Sequence, residues 1–204
     1  MTNRRHRLLL VLLLLHTILW YKPGYSAQAA GHDAGVFQGF VDRAVMQLRL
    51  SPSANRQLAP AGKATIRQVQ YQGNYALILA TVVQHRVPIG CQGVISIAAR
   101  HSTHYRRWES SGYSFSESCV SQARPLSIEY QSAFFSDGVI YATFGRVAAA
   151  VFSVSIVARG RTIRAMTHSG TYLVLVACNT IHTVQALDRN GRILYSTTPP
   201  CSSH

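Results

Sequence analysis

The sequence is poor in acidic side chains and in lysine. Its 204 residues contain 7 Asp and Glu against 20 Lys and Arg, and the formal net charge is +13. A calcium loop is disfavoured, because residues 188–191 resemble its opening but the remaining ligands are absent. Glycoside chemistry is disfavoured too, because the four acidic residues able to pair in the β region lack any diagnostic context: Glu109, Glu117, Glu129 and Asp137.

Motifs for catalysis and for cofactors are missing as well. No Gly-x-Ser-x-Gly segment occurs, so nothing marks a serine nucleophile, although a spatial Ser-His-Asp triad stays open. His101 and His104 are three residues apart, but the sequence ties neither a carboxylate nor a third histidine to them. We therefore expect no catalytic residues, no cofactor and no bound metal, and a binding protein is favoured over an enzyme.

The first residues have the layout of a secretory signal. Arginines form a basic segment before residue 8, residues 8–21 form an apolar run, and small residues at 27–29 suit a signal peptidase. The apolar run is shorter than the roughly 20 residues that span a bilayer. We predict a cleaved signal at residues 1–29 and a secreted or extracytoplasmic domain. The alternative is an uncleaved anchor, and membrane contact is then limited to this segment.

Removal of the signal leaves a basic domain. It takes away four basic side chains and no acidic one, which leaves 16 basic against 7 acidic side chains and a formal charge of +9. This surplus favours an anionic partner, such as a polyanion or an acidic component of the cell surface. No basic run is longer than Arg106-Arg107, so a scattered, solvated basic surface is the alternative. No specific nucleic-acid motif is present.

Cysteines are few and widely spaced. No Cys-x-x-Cys segment and no close Cys/His pairing occurs, which disfavours zinc. An even number of cysteines in an exported chain favours two disulfides, for which three connectivities are possible. We predict sequential pairing, Cys91 with Cys119 and Cys178 with Cys201. Each bridge would close a loop of about 25 residues and stabilise the fold by roughly 3 kcal/mol.

One amphipathic helix is predicted at residues 33–50. Apolar residues recur there at helical spacing, and Asp33 is placed to cap the first turn. A helix of this kind packs on a neighbouring sheet or lies on a membrane surface, and we expect packing. Pro52 follows the helix, and residues 51–63 are predicted to be a linker.

Residues 64–198 are predicted to form a single, mainly β domain. Short strand-like segments are separated by turn residues, as at 159–161 and 190–191. The segment at 75–84 is apolar on both faces, which predicts a central strand. Many short strands without intervening helices favour an antiparallel sandwich or barrel-like sheet, with the one N-terminal amphipathic helix beside it.

A polar segment at residues 100–125 shows no usable period, and we predict a long loop there. Long loops in compact domains are often functional. Arginines interleaved with Tyr and Trp suit pairing with phosphate or carboxylate groups together with stacking on sugars or bases. The predicted binding residues are Arg100, His101, His104, Tyr105, Arg106, Arg107 and Trp108. The alternative is a solvated basic loop with Trp108 packed back on the sheet.

Several segments resemble those of uncharacterised exported proteins of Gram-positive-type bacteria. The order Cys91-Gln92-Gly93-Val94, a polar segment, then Ser118-Cys119 is similar, and so are the hairpin segments at 141–147, 154–162 and 184–192. The resemblance covers residues 64–196. It implies a β-rich domain with a bridge between the first two cysteines and a C-terminal hairpin repeat, and it implies no activity, because none is assigned to those proteins.

These features together predict an exported, non-enzymatic module that binds an anionic surface or extracellular partner. The alternative is a membrane-anchored extracytoplasmic ectodomain with a structural or sensory role, which contacts a protein partner. The two hypotheses differ in whether residues 1–29 remain on the mature chain.

Overall fold

The structure is a computed structural model that describes residues 31–50, 60–84 and 87–199. The predicted signal at 1–29, most of the predicted linker, and Cys201 lie outside these ranges. Within them, no helix is both long and apolar enough to cross a membrane.

The N-terminal helix, α1, runs from Gly31 to Leu50 and packs on a sheet. Because it begins before Asp33, that residue lies in the first turn, where a carboxylate is favourable at the positive end of the helix dipole. Phe37, Val41 and Val45 recur every four residues and are buried, so they form the face that covers the sheet.

The first sheet contains four antiparallel strands in chain order: β1 (Pro60–Gln72), β2 (Tyr75–Gln84), β3 (Cys91–Ser102) and β4 (Arg107–Cys119). Both faces of β2 are buried, as predicted for a central strand, because α1 covers one face of the sheet and a second sheet covers the other. Residues 60–63, predicted as part of the linker, belong to β1.

The predicted loop at residues 100–125 is wrong over most of its length. β3 continues to Ser102, and β4 returns along it after a turn at residues 103–106. β4 is an edge strand whose side chains are mostly exposed or half-buried, so its sequence lacks the apolar alternation of the inner strands. A register shift near Gly112 breaks the remaining period.

A disulfide joins Cys91 and Cys119, which lie directly opposite each other on β3 and β4. This confirms the first predicted bridge. Cys178 is also disulfide-bonded, but its predicted partner, Cys201, lies outside the described residues. No free cysteine occurs in the described part of the chain.

The second sheet contains β5 (Glu129–Phe135), β6 (Gly138–Arg146) and β9 (Thr171–Val174), in that order. One face of this sheet packs on the first sheet through Phe144 and Leu173, which lie in a common core with residues of β2 and β3. The last of these strands, β9, ends at Val174, and a short 3-10 turn follows at Cys178–Thr180.

The third sheet has the order β11 (Ile193–Thr197), β10 (Ile181–Leu187), β7 (Ser153–Ala158) and β8 (Arg161–Met166). Its two hairpins turn at the predicted places. Its core face packs on Tyr172 of the second sheet, which is fully buried. Helix, first sheet, second sheet and third sheet therefore follow one another as layers.

Arg146 and Tyr172 tie these layers together through backbone carbonyls. The Arg146 guanidinium donates to the carbonyls of Gly90 and Ser118, at 2.6 and 3.1 Å, and its burial lowers its pKa. The Tyr172 hydroxyl donates to the Ser127 carbonyl at 3.0 Å, and burial raises its pKa. With all strand pairs antiparallel and one N-terminal helix, the predicted mainly β class is confirmed.

Candidate functional site

A groove of about 840 Å³ lies between α1 and the tip of the β3–β4 hairpin. We call it the hairpin groove. Side chains alternate between the two faces of a strand, so His101 and its cross-strand partner Trp108 both face α1. The groove contains most of the predicted binding residues and two charged residues of the helix: His101, Arg106, Arg107 and Trp108, with Asp33 and Arg43.

Trp108 forms the floor of the hairpin groove and is half-buried. Its ring lies 5.1 Å from that of Phe37, 5.9 Å from Tyr71 and 5.2 Å from His101. Its indole nitrogen donates to the Asp33 carboxylate at 3.0 Å. The ring is thus packed back on the sheet, as in the alternative interpretation of the sequence, and its position is fixed by the core.

Tyr71 belongs to the aromatic cluster that Phe37 and Trp108 form. Burial raises its pKa, and the negative charge of Asp33 raises it further, because a nearby anion disfavours the tyrosinate. Asp33 therefore acts on two aromatic residues at once, Trp108 in the groove and Tyr71 in the core next to it.

Two arginines of the groove have no carboxylate partner among the described residues. Arg43 projects from α1, with its guanidinium 5.0 Å above the Phe40 ring. Arg106 is exposed in the hairpin turn and has a φ of 51°, in the left-handed region that non-glycine residues rarely adopt. Neither forms an ion pair with a described residue.

Arg107 differs from these two because it is partly neutralised. Its side chain lies 3.5 Å from the Glu109 carboxylate, and its guanidinium lies 5.1 Å from the Tyr105 ring. Glu109 also lines the groove. The hairpin groove therefore holds two carboxylates, Asp33 and Glu109, beside its three arginines.

Arg100 lies on the opposite face of β3 and takes no part in the groove. It pairs with Glu109 at 3.4 Å and with Asp137 at 3.0 Å, and Asp137 also accepts a hydrogen bond from Tyr75. The Arg100 guanidinium lowers the pKa of the Asp137 carboxyl. Arg100 therefore links the first sheet to the β5–β6 turn.

His104 and Tyr105 lie in the exposed turn, with their rings 4.7 Å apart. They are separated from His101, which lies on β3, so the two histidines do not converge as a metal site. One group of three potential metal ligands exists in the described part of the chain, formed by Cys91, Glu117 and Cys119. Its sulfurs are joined in the disulfide and cannot act as thiolate ligands.

Arg43 lines the groove, but no pattern in the sequence marks it as a binding residue. It is one of the polar residues on the exposed side of an amphipathic helix, and only the packing of α1 beside the hairpin brings it to Trp108. A spacing of 65 residues separates Arg43 from Trp108 in the chain, so no local pattern relates them.

No protein-family model, no curated protein and no solved structure matches this chain. The comparisons therefore identify no family. Of the resemblance seen in the sequence, the β-rich domain and the Cys91–Cys119 disulfide are shown by the structure.

Proposed function

We propose that this chain is an exported, non-enzymatic β domain that binds an anionic partner through the hairpin groove. The observation that carries the proposal is that Arg43 and Arg106, two cations without a described carboxylate partner, line one groove together with the fixed ring of Trp108. Unpaired guanidinium groups around an open groove favour a ligand that supplies the missing negative charge.

The arginine side chain suits oxyanions in particular. Its planar guanidinium presents several donors at once, so it can bind carboxylate, sulfate or phosphate groups through two parallel hydrogen bonds. Attraction between exposed charges is screened over about 8–10 Å at moderate salt, so binding through this groove should weaken as salt is added. The partner class is an acidic polymer or an acidic component of the cell surface.

We also propose that the protein is exported and that it is related to uncharacterised exported bacterial domains. The basic, apolar and small-residue segments of residues 1–29 support secretion, and the disulfide suits an oxidising compartment. The segments around Cys91, Cys119 and the C-terminal hairpins support kinship with uncharacterised exported bacterial β-rich domains. Mass spectrometry of the exported protein should find a chain that begins near Ala30 or Gly31. Full-length protein confined to the membrane fraction would favour the anchored ectodomain instead.

The groove is tested by retention on immobilised heparin. The variant Arg106→Asn/Arg107→Gln removes two exposed arginines, and Asn tolerates the left-handed backbone at position 106. The matched control, Arg189→Gln/Arg192→Gln, removes two exposed arginines from the β10–β11 turn, which lies outside this groove. We expect at least about tenfold weaker binding for the first variant, because each charged hydrogen bond contributes about 1.5–3 kcal/mol.

The control sets the scale for a diffuse charge effect. Both double variants carry the same net charge, so a scattered basic surface predicts the same elution salt for the two. Equal elution would refute the hairpin groove as the site. A separate variant, Arg43→Gln, tests the part of the groove that α1 forms. We expect it to weaken heparin binding as well, since Arg43 and Arg106 line one groove.

A further inference from the structure

Among the residues that the structure describes, the third sheet covers only part of one face of the second sheet. Residues of β5 and β6 that lie opposite one another share this face: Tyr130 with Thr143, Ser132 with Tyr141, and Phe134 with Val139. At the β9 end the face is covered by the third sheet, as the burial of Tyr172 and Val174 requires. Toward β5 four large side chains are exposed: Tyr130 49%, Phe134 70%, Val139 41% and Tyr141 45%.

These four side chains are exposed although one face of the same sheet packs on the first sheet. Proteins that act alone rarely expose contiguous apolar patches of this kind, and those that do often bind something there. Along β5, Tyr130 and Phe134 are four residues apart, which corresponds to about 13 Å between them. Tyr130, Phe134, Val139 and Tyr141 thus form a surface suited to an extended ligand, which we call the β5–β6 strip.

Two arginines stand at one end of this strip. A second groove, of about 690 Å³, lies between β6 and the β7–β8 turn, and we call it the turn groove. It is lined by Val139 and Tyr141 of the strip and by Arg159 and Arg161 of the turn. No carboxylate lines it, and neither arginine forms an ion pair within the described ranges.

The turn itself gives Arg159 an unusual backbone. Ala158 pairs with Arg161, so Arg159 and Gly160 form a two-residue turn, with φ values of 49° and 71°. The first position of such a turn favours Asn, Asp or Gly, because left-handed backbone is strained for other residues. An arginine at this position adopts a strained conformation and gains no described ion pair. Strain of this kind is often retained at functional sites, which favours an external partner for Arg159.

We propose that the turn groove and the β5–β6 strip together bind a segment of an anionic glycan. The guanidinium groups of Arg159 and Arg161 pair with a carboxylate or sulfate on the sugar chain. The rings of Tyr141 and its neighbours lie against the apolar faces of successive sugar rings. This site lies mainly on the second and third sheets, whereas the hairpin groove lies between α1 and the first sheet, so the two sites are separate.

The distribution of charge favours a glycan over a nucleic acid. A nucleic acid carries one negative charge on every nucleotide, so cations are expected along the whole path of its backbone. Here the outward residues of β5 and β6 are aromatic, aliphatic or hydroxylated, and the cations lie at one end only. A chain with apolar ring faces and spaced acidic groups matches that pattern.

Affinity electrophoresis of the exported protein in gels containing polygalacturonate tests the proposal. We expect clear retardation, and none in gels containing neutral dextran. Arg159→Asn/Arg161→Gln should weaken the apparent binding about tenfold, because two bidentate charged pairs are lost. Arg159→Lys/Arg161→Lys keeps the charge but loses the planar guanidinium that forms two parallel hydrogen bonds. Its binding should therefore lie between that of the parent and that of Arg159→Asn/Arg161→Gln. Arg189→Gln/Arg192→Gln is the control with equal net charge.

A matched pair of variants, Tyr141→Ala and Tyr141→Phe, tests the contribution of the Tyr141 ring to binding. Tyr141→Ala removes an exposed ring and should weaken binding by about fivefold or more, by analogy with ring stacking on bases. Tyr141→Phe keeps the ring and should bind like the parent. Thermal unfolding of each variant, followed by circular dichroism, should stay near that of the parent, because these side chains are exposed.

Three results would overturn the proposal. One is equal retardation of the turn-groove variant and its charge control. Another is tighter binding of a single-stranded oligonucleotide than of polygalacturonate, lost in Arg159→Asn/Arg161→Gln, which would assign the surface to nucleic acid. The third is binding to anionic vesicles without binding to the glycan, which would assign it to a lipid surface. Loss of heparin retention in the hairpin-groove variant alone bears on the other site and leaves this prediction intact.

Discussion

The two arginine-lined grooves of this molecule differ in what holds their arginines. In the hairpin groove, Asp33 and Glu109 lie among the cations, and Trp108 is fixed by the core beneath it. Among the described residues no carboxylate lines the turn groove, and Tyr141, which does line it, is exposed. Side chains of the hairpin groove therefore stabilise the fold as well as line a candidate site, whereas side chains of the turn groove contribute little to stability.

This difference gives each groove its own expected response to mutation. Substitutions in the hairpin groove should change stability and binding together, because the same side chains serve both. Substitutions in the turn groove should change binding with little change in stability. The predictions that follow test this contrast, and the largest expected effect comes first.

Trp108→Ala should destabilise the fold by about 3–5 kcal/mol, since it removes a large ring packed on Phe37 and Tyr71 and leaves a cavity. Tyr141→Ala, its counterpart at the turn groove, should cost no more than about 0.5 kcal/mol, because that side chain lies on the surface. Urea denaturation of both variants measures the two values. Similar losses for both would contradict the contrast between the grooves.

Asp33→Asn should have an intermediate effect of about 1–2 kcal/mol, because Trp108 would lose a charged acceptor and the helix a favourable charge in its first turn. The pKa of Tyr71 should fall at the same time, since the anion that helps to raise it is gone. Titration of tyrosinate absorbance, with Tyr71→Phe as the background, measures this shift.

Asp42→Asn is the matched control for that experiment. Asp42 is an exposed carboxylate on the same helix, accepts a hydrogen bond from Gln38, and does not contact Trp108. If it destabilises the protein as much as Asp33→Asn does, the effect is a property of the charged helix and not of the Trp108 contact.

Glu109→Gln should give the smallest change and one in the opposite direction. It removes a carboxylate that lies 3.5 Å from Arg107, so heparin should bind about twofold more tightly through the hairpin groove. Glu117→Gln on the same strand changes the net charge equally but lies outside the groove. Equal gains in the two variants would indicate a diffuse charge effect.

Much of the fold followed from local signals in the sequence. The helical spacing of apolar residues gave α1, and the doubly apolar segment at 75–84 gave the central strand β2. The Gly-containing turns at 159–161 and 190–191 gave two hairpins of the third sheet. These signals are local because they depend on backbone conformation and on which side of one element is apolar.

The error at β4 has a different origin. An edge strand gains its order from hydrogen bonds to a neighbour, and its exposed side chains leave little pattern in the sequence. The same lack of pattern affects the candidate site, because the predicted binding residues belong to β3, to β4 and to the turn between them. Alternation along β3 then placed Arg100 and His101 on opposite faces of the sheet.

The sequence by itself determined the class of the fold, the basic charge and the cysteines of one bridge, because composition and short-range periodicity encode them. Only the tertiary structure decided which arginines keep an unpaired charge. That outcome depends on side chains brought together from distant positions, as when α1 carries Arg43 to the hairpin and the β7–β8 turn carries Arg159 to Tyr141. Ion pairing is set by distance in space, and a linear pattern of charges does not contain that distance.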